Sequence, residues 1–192
     1  TKERRIEAGD QFIDVGIAEE QAVALASGLA KGGMKPVFAT HSSFMQRTYD
    51  QLSQDLCINN NPATILANTA SIYGMNDITH LGLYDISFIS NIPNMVYLAP
   101  TSKDEYLSML EYSISQDSYP IAIRIPCNGV IKDNRTVDTD YSDLNKYKVE
   151  KQGSKIAILA LGDFYQLGES VTDEIKNKLN IESTLINPRF IT

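Results

Sequence analysis

Cysteine and histidine are scarce in this chain: Cys57 and Cys127, His41 and His80 are the full complement in 192 residues. The two cysteines form no metal-binding or redox spacing, and a reduced, cytoplasmic setting fits them. No apolar run is long enough to cross a membrane. The opening Thr1-Lys2-Glu3-Arg4-Arg5 is charged and no apolar stretch follows it, so no signal peptide is expected. Basic residues are in the minority: Lys+Arg 17 against Asp+Glu 24 gives a net charge of −7. They are also scattered, which argues against a nucleic-acid surface. Neither an internal repeat nor a low-complexity segment is present. What the chain does have is apolar mass, 43% of its residues, enough to fill the core of one domain and part of another.

Apolar periodicity alternates helices with strands. A helix over 19–32 ends at Gly32-Gly33, a suitable C-cap pair, and a buried strand follows at 36–40. Ser42 or Ser43 is expected to N-cap a second helix reaching about Ile58, with Phe44, Thr48, Leu52 and Leu56 on one stripe. Asn59-Asn60-Asn61-Pro62 breaks it. Further strands are expected at 63–67, 95–98 and 120–125, with a glycine-bearing loop over 70–84. Ser102 opens another helix, with Asp104 and Glu105 in its first turn. This alternation specifies an α/β fold built on a doubly wound parallel sheet. Residues 130–152 are polar and charged and read as a linker. Beyond them a strand from 155, a helix over 164–178 and a strand over 181–187 begin a second α/β domain.

The most informative stretch is Asp14-Val15-Gly16-Ile17-Ala18-Glu19, running into Glu20-Gln21-Ala22-Val23-Ala24-Leu25-Ala26. It sets the Glu19 carboxyl at the mouth of a helix that is otherwise small and apolar. An acid desolvated on one side favours a shared proton over a free charge. Alternatively, it only complements the helix macrodipole, worth about 1 kcal/mol or less. The next block, Lys35-Pro36-Val37-Phe38-Ala39-Thr40-His41-Ser42-Ser43-Phe44-Met45-Gln46-Arg47, decides in favour of chemistry when it is read with the blocks that follow. Those are Tyr73-Gly74-Met75-Asn76-Asp77-Ile78-Thr79-His80-Leu81-Gly82, Asp85-Ile86-Ser87-Phe88, Ile92-Pro93-Asn94-Met95 and Ala122-Ile123-Arg124-Ile125-Pro126.

In this order the blocks resemble the pyrimidine-binding domain of the transketolase superfamily of thiamine-diphosphate enzymes, and within it the 1-deoxy-D-xylulose-5-phosphate synthase family. The resemblance implies residues 1–129 as a pyrimidine-binding domain lacking its N-terminal part, 130–152 as the linker, and 153–192 as the start of the superfamily's C-terminal domain. In that family the glutamate block lies well inside a long polypeptide, so this chain is expected to be an internal piece. The implied activity is a transferase that decarboxylates pyruvate on thiamine diphosphate and passes the two-carbon unit to glyceraldehyde 3-phosphate, serving isoprenoid-precursor and thiamine biosynthesis. The family works as a homodimer and holds Mg²⁺ through a Gly-Asp-Gly…Asn block that is absent from this sequence, so no metal ligand is assigned here.

The resemblance also implies roles. Glu19 and His80 are the catalytic pair: the family glutamate bonds N1′ of the aminopyrimidine and promotes its imino tautomer, and the histidine exchanges protons in the substrate channel. Phe44 stacks on the pyrimidine, a contact worth about 0.5–1.5 kcal/mol beyond burial. Arg47 lies beside the cofactor pocket, and His41 belongs to the same side. His80, Arg124 and Asn76 are the substrate contacts, Arg124 toward the sugar phosphate. Several positions depart from the family. His41 stands where tyrosine is usual, Asn68-Thr69 where Asp-Arg is usual, Asn76 where an aspartate is usual, and Cys127 where a second arginine is usual. The cofactor half is therefore intact and the acceptor half altered. Compensating basic residues, a different donor or acceptor, and a non-catalytic paralogue all remain open on the sequence.

Overall fold

The computed structural model describes residues 2–72 and 77–192. Helix α1 (Lys2–Ala8) buries none of its residues and passes through a 3₁₀ turn (Gly9–Gln11) toward helix α2 (Glu19–Lys31). Before α2 the chain turns at Gly16, which has φ +68° and donates its N–H to Asp14 Oδ1 at 3.0 Å. A left-handed residue closed by an aspartate is what glycine supplies cheaply here. On α2 the residues Ala22, Val23, Ala26, Ser27 and Ala30 are buried. Their small size brings the helix close to its neighbours, and the polar atoms at that contact are satisfied. Ser27 Oγ donates to Asp55 O and accepts from Asn61 Nδ2, both at 2.7 Å.

Strand β1 (Val37–His41) follows; expected to be buried, it instead alternates exposed and half-buried residues because it forms one edge of the main sheet. The expected α-helix from Ser42 to about Ile58 is instead a 3₁₀ turn (Phe44–Thr48) and then a π-helical turn (Gln51–Cys57). Neither serine caps it. Ser43 is already in the right-handed helical conformation, and Ser42 Oγ donates to Thr69 O at 3.4 Å. Thr48 Oγ1 bonds back to Met45 O at 2.7 Å, and the Ile58 N–H reaches Ser53 O at 3.0 Å, one residue further than an α-helical bond. The wider turn keeps Thr48, Leu52 and Leu56 buried on the expected stripe and adds Met45 and Cys57 to it.

Strands β2 (Thr64–Ala70), β3 (Val96–Leu98) and β4 (Ile121–Pro126) join β1 in one parallel sheet of order β1-β2-β4-β3. Helix α3 (Asp85–Ile89) precedes β3, and α4 (Lys103–Ser115) connects β3 to β4. Ser102 caps α4 as expected, its Oγ accepting from the Glu105 N–H at 3.2 Å. Alternation along the strands separates two cores. Ile65, Ala67, Tyr97 and Ala122 pack with Val23, Leu52 and Leu56, whereas Val96, Leu98, Ile121 and Ile123 pack with Met109 of α4. Helices therefore cover both faces, which is the doubly wound arrangement the sequence predicts. Strand β3 would be a bare sheet edge, but the tail covers it. Ala99 N–H donates to Arg189 O at 2.8 Å and Ile191 N–H to Tyr97 O at 2.7 Å.

A second sheet has the order β5-β7-β6, from β5 (Lys148–Lys151), β6 (Ala157–Leu159) and β7 (Thr184–Asn187). Helix α5 (Tyr165–Leu179) links β6 to β7, which run parallel, while β5 is antiparallel to β7. The end of the expected linker is thus a strand, with Val149 registered against Ile186. The strand expected from 155 shortens to three residues because Lys155 takes φ +63° and Gly162 φ +56°, turning the chain at both ends.

Candidate functional site

Parallel strands put their carboxyl ends on one side of the sheet, where ligands of open α/β sheets bind. His41 ends β1 there, and Thr69 and Ala70 end β2. The following loop returns so closely that a Cβ on Gly82 would stand 2.2 Å from Thr69 O and 2.6 Å from Ala70 Cα. Only glycine fits. The Ser71 N–H donates to Gly82 O at 2.9 Å, which fixes the return, and the 3₁₀ turn Ile78–His80 is delivered beside the end of β1.

Three of the expected residues meet at this edge. The His41 and Phe44 ring centroids are 5.2 Å apart, Phe44 and His80 5.1 Å, and His41 and His80 5.8 Å, all tilted or edge-on. Each histidine is tethered through Nδ1. His41 Nδ1 lies 2.7 Å from Thr69 Oγ1, and His80 Nδ1 lies 2.8 Å from Asp77 Oδ2. The Thr79 hydroxyl and backbone N–H, with His80 beside them, hold the Asp77 carboxyl below its usual range.

Glu19 and Arg47 form a second group joined to the first by the turn that carries Phe44. The Glu19 side chain is 12% exposed at the start of α2, and Arg47 Nη1 lies 3.4 Å from its Oε2. The shorter contact of Arg47 is to Glu20: Nε donates to Glu20 Oε1 at 2.8 Å. The Glu20 backbone and Arg47 together lower the Glu20 carboxyl, and the Glu20 hydrogen bond raises the Arg47 guanidinium. A cleft of about 430 Å³ opens beside Glu19, walled by Arg5, Asp14, Ala22, Leu25, Phe38 and Thr40 among others.

Arg124, which the resemblance implies as a contact to the sugar phosphate, is carried by β4 into the buried layer with its side chain 9% exposed. Its Nε donates to Asp85 Oδ2 at 2.7 Å, and Tyr97 OH donates to the same oxygen at 2.6 Å. Arg124 Nη1 lies 3.5 Å from Asp163 Oδ1, and Asp163 Oδ2 accepts from Ser71 Oγ at 2.6 Å. Burial opposes the charge on Arg124, but the Asp85 hydrogen bond and charge outweigh it and raise the guanidinium. Burial and the Asp85 charge push the Tyr97 phenol well above its usual value. Asn76, the remaining expected substrate contact, lies outside the described residues. Among the described residues no three His, Cys, Asp or Glu side chains stand close enough to hold a metal ion.

Sequence reasoning missed Glu20 as the main partner of Arg47, and Asp85, Tyr97 and Asp163 as the partners of Arg124. Glu20 carried a readable signal, an acid next to the assigned one and on the same first turn. The other three come together only through strand order, which no local spacing encodes.

Residues 1–130 match the family described as transketolase, pyrimidine binding domain. The 1-deoxy-D-xylulose-5-phosphate synthase of Clostridium perfringens (strain SM101 / Type A) is 42% identical over 190 residues, covering 99% of this chain and 30% of that protein. The protein of the same name from Pseudoalteromonas translucida (strain TAC 125) is 41% identical over 182 residues, covering 95% of this chain and 28% of that protein. The chain thus spans under a third of the curated relatives it matches. Among solved structures, a transketolase from Campylobacter jejuni subsp. jejuni NCTC 11168 superposes with a TM-score of 0.80 at 19% identity, covering 93% of this chain and 28% of that one. A split-gene transketolase solved as an inactive β4 tetramer gives 0.78, also at 19% identity, covering 97% of this chain and 61% of that one. These two likenesses carry the fold alone. The family match over 130 of the 192 residues, set on a parallel sheet with Glu19, Phe44 and His80 at its carboxyl edge, means that the chain belongs to the transketolase pyrimidine-binding-domain family.

Proposed function

We propose that this chain is the aminopyrimidine-holding part of a 1-deoxy-D-xylulose-5-phosphate synthase-type transferase, using thiamine diphosphate with pyruvate as donor and glyceraldehyde 3-phosphate as acceptor. The observation that carries the reading is Glu19, a carboxylate with a 12% exposed side chain beside a cleft of mixed polar and apolar lining, tied by Arg47 to the turn that bears Phe44. The residues present fit the ring end of the cofactor. Phe44 offers an aromatic edge or face, and the buried Ser43 Oγ next to it has no hydrogen-bond partner among the described residues. When bound, thiamine diphosphate supplies the carbanion-stabilising chemistry; the protein supplies binding, orientation and proton control. Glu19 would hold a ring nitrogen by a shared proton, which an amide cannot exchange. Arg47, shared between Glu19 and Glu20, keeps that carboxylate oriented. His80, held through Nδ1 by Asp77, presents its other nitrogen to a carbonyl or hydroxyl oxygen.

The same proposal places residues 1–129 in the pyrimidine-binding domain, 130–152 in the connection and 153–192 in the next domain. It takes the working enzyme as a cytoplasmic homodimer whose Mg²⁺ ligands lie in other parts of the polypeptide. In the full-length protein Glu19→Gln should keep the fold and slow exchange of the cofactor's C2 proton by about 10²–10⁴-fold. An unchanged exchange rate by NMR makes Glu19 a helix-terminal acid and ends the reading. One observation favours a second reading on the acceptor side. Arg124 is spent on Asp85 and Asp163, which suits an aldehyde without a dianionic phosphate. Parallel kinetics with phosphorylated and unphosphorylated glyceraldehyde separate the two.

A further inference from the structure

The hydrogen bonds at the ring cluster determine which nitrogen of each histidine carries the proton. Thr69 Oγ1 lies 2.6 Å from Asn68 O, a carbonyl that can only accept, so the threonine hydroxyl proton is directed there. The 2.7 Å contact from Thr69 Oγ1 to His41 Nδ1 must then run the other way, with Nδ1–H donating. The same logic holds for His80. Thr79 Oγ1 donates to Asp77 Oδ1 at 2.8 Å, and Asp77 Oδ2, an acceptor only, faces His80 Nδ1 at 2.8 Å. Both imidazoles are therefore Nδ1–H tautomers. Neither Nε2 is bonded among the described residues, and the two rings lie 5.8 Å apart, each against Phe44. Thr69 is held at φ +54°, an unfavourable conformation for a β-branched residue. It nonetheless sits at the bulge where β2 leaves its register with β4.

We propose that His41 is a second proton-accepting residue of this site, the Thr69 hydroxyl selecting the neutral-ring tautomer whose Nε2 is the free acceptor, acting beside His80 on a hydroxyl or carbonyl oxygen of the substrate. The inference rests on the functional reading above and adds a residue to it. One imidazole can take the proton from a hydroxyl, becoming imidazolium, while the other receives a hydrogen bond from a neighbouring group; no external reagent is needed. The charged groups on the elements packed around the two rings are Asp77 on the His80 turn, Glu19 and Glu20 on α2, Arg47 on the 3₁₀ turn and Asp85 on α3. Asn68 and Thr69 on β2 are neutral. Asp77 bonds His80, Arg47 bonds both glutamates and Asp85 bonds Arg124, so each of these charges already has its own partner.

The test uses the full-length protein with histidine labelled in nitrogen-15, His41 being assigned by comparison with His41→Gln. Above the titration of both rings, His41 should show a protonated Nδ1 and a bare Nε2. Thr69→Val, which keeps the shape but loses the acceptor, should abolish that preference. With turnover established, the acid limb of kcat/KM against pH should need two deprotonated groups. In His41→Gln it should fall to one, with a loss of about 10²-fold in kcat/KM. A protonated Nε2 on His41 in the unmodified protein, or an acid limb unaltered in His41→Gln, overturns the proposal. The tautomer is read without any turnover. A failure of the functional reading, seen as unchanged exchange in Glu19→Gln, is thereby distinguishable from a failure of this one.

Discussion

Removing the Asp85 charge should cost the fold more than any change at the exposed rim of the site. The Asp85 side chain is fully buried and Arg124 is 9% exposed, with 2.7 Å between Oδ2 and Nε. At an effective dielectric of about 20, unit charges at that separation attract by about 6 kcal/mol. Desolvating each ion takes back several kcal/mol, so the intact pair is close to neutral for stability. Losing one member is different, because a buried guanidinium then lacks its counter-charge. That costs about 3–5 kcal/mol. Asp85→Asn is the sharpest version: it is near-isosteric and still offers Tyr97 OH an oxygen, so the loss is of charge alone. At about 2–4 °C per kcal/mol for a domain of this size, the thermal midpoint should fall by roughly 6–20 °C. Calorimetry on the full-length protein reads this, alongside Arg124→Met, which should fall by a comparable amount. Joint replacement by Asp85→Leu and Arg124→Met should recover much of the loss. If Asp85→Asn moves the midpoint by less than about 2 °C, the pair is solvated. If Arg124→Met raises only the acceptor's KM, the guanidinium serves substrate and the structural account fails.

Two further outcomes follow from single groups. Gly82→Ala sets a methyl 2.2 Å from Thr69 O, so the return loop must shift by more than a side-chain adjustment; it should lose about 1–3 kcal/mol, and the ring-current shifts that Phe44 imposes on His41 and His80 should collapse in NMR spectra. Burial pushes the Cys57 thiol from 9.0 up to about 12, so Cys57 in the native protein should resist thiol reagents at pH 8. Because the unfolded thiol ionises first, this group's contribution to stability should be present below about pH 9 and decline as pH rises toward 12; rapid native-state labelling at Cys57, located by peptide mapping, would contradict it.

How far the sequence carried the reading depended on what kind of information each feature needs. Period and caps are local, so α2, α4 with its Ser102 cap, and all four strands of the main sheet were legible within a residue or three. The 42–58 segment was legible in its buried stripe but not in its backbone. A periodicity of roughly four cannot distinguish an α-turn from a tighter and then a wider one when Thr48 turns its hydroxyl inward. Strand β5 was hidden because Lys148, Val149, Glu150 and Lys151 look like linker, and alternation over four residues is weak. Among the candidate site residues, His41, Phe44 and His80 converge because β1, the turn after it and the β2 loop all end on one edge, and Arg47 on that turn reaches Glu19 at the head of α2. Arg124 was the difficult position: by residue type alone it was as good an anion ligand as Arg47.

Arg47 and Arg124 differ only in where the chain puts them. Arg47 lies on a turn at the sheet edge, half exposed, so its two glutamates hold it in a setting where water also competes. Arg124 points into the layer between the main sheet and the second unit, where it has to be neutralised by whatever acids reach it. Two do, and they come from different parts of the chain: Asp85 from α3, and Asp163 from the 3₁₀ turn (Gly162–Phe164) ahead of α5. Asp163 also takes the Ser71 hydroxyl, and the backbone of Ser71 is bonded to Gly82. A buried charge on β4 thus links the second sheet to the loop that sets His80 beside His41. The docking of that sheet is consequently part of what positions the His41 and His80 rings, even though, among the described residues, none of its side chains bonds them.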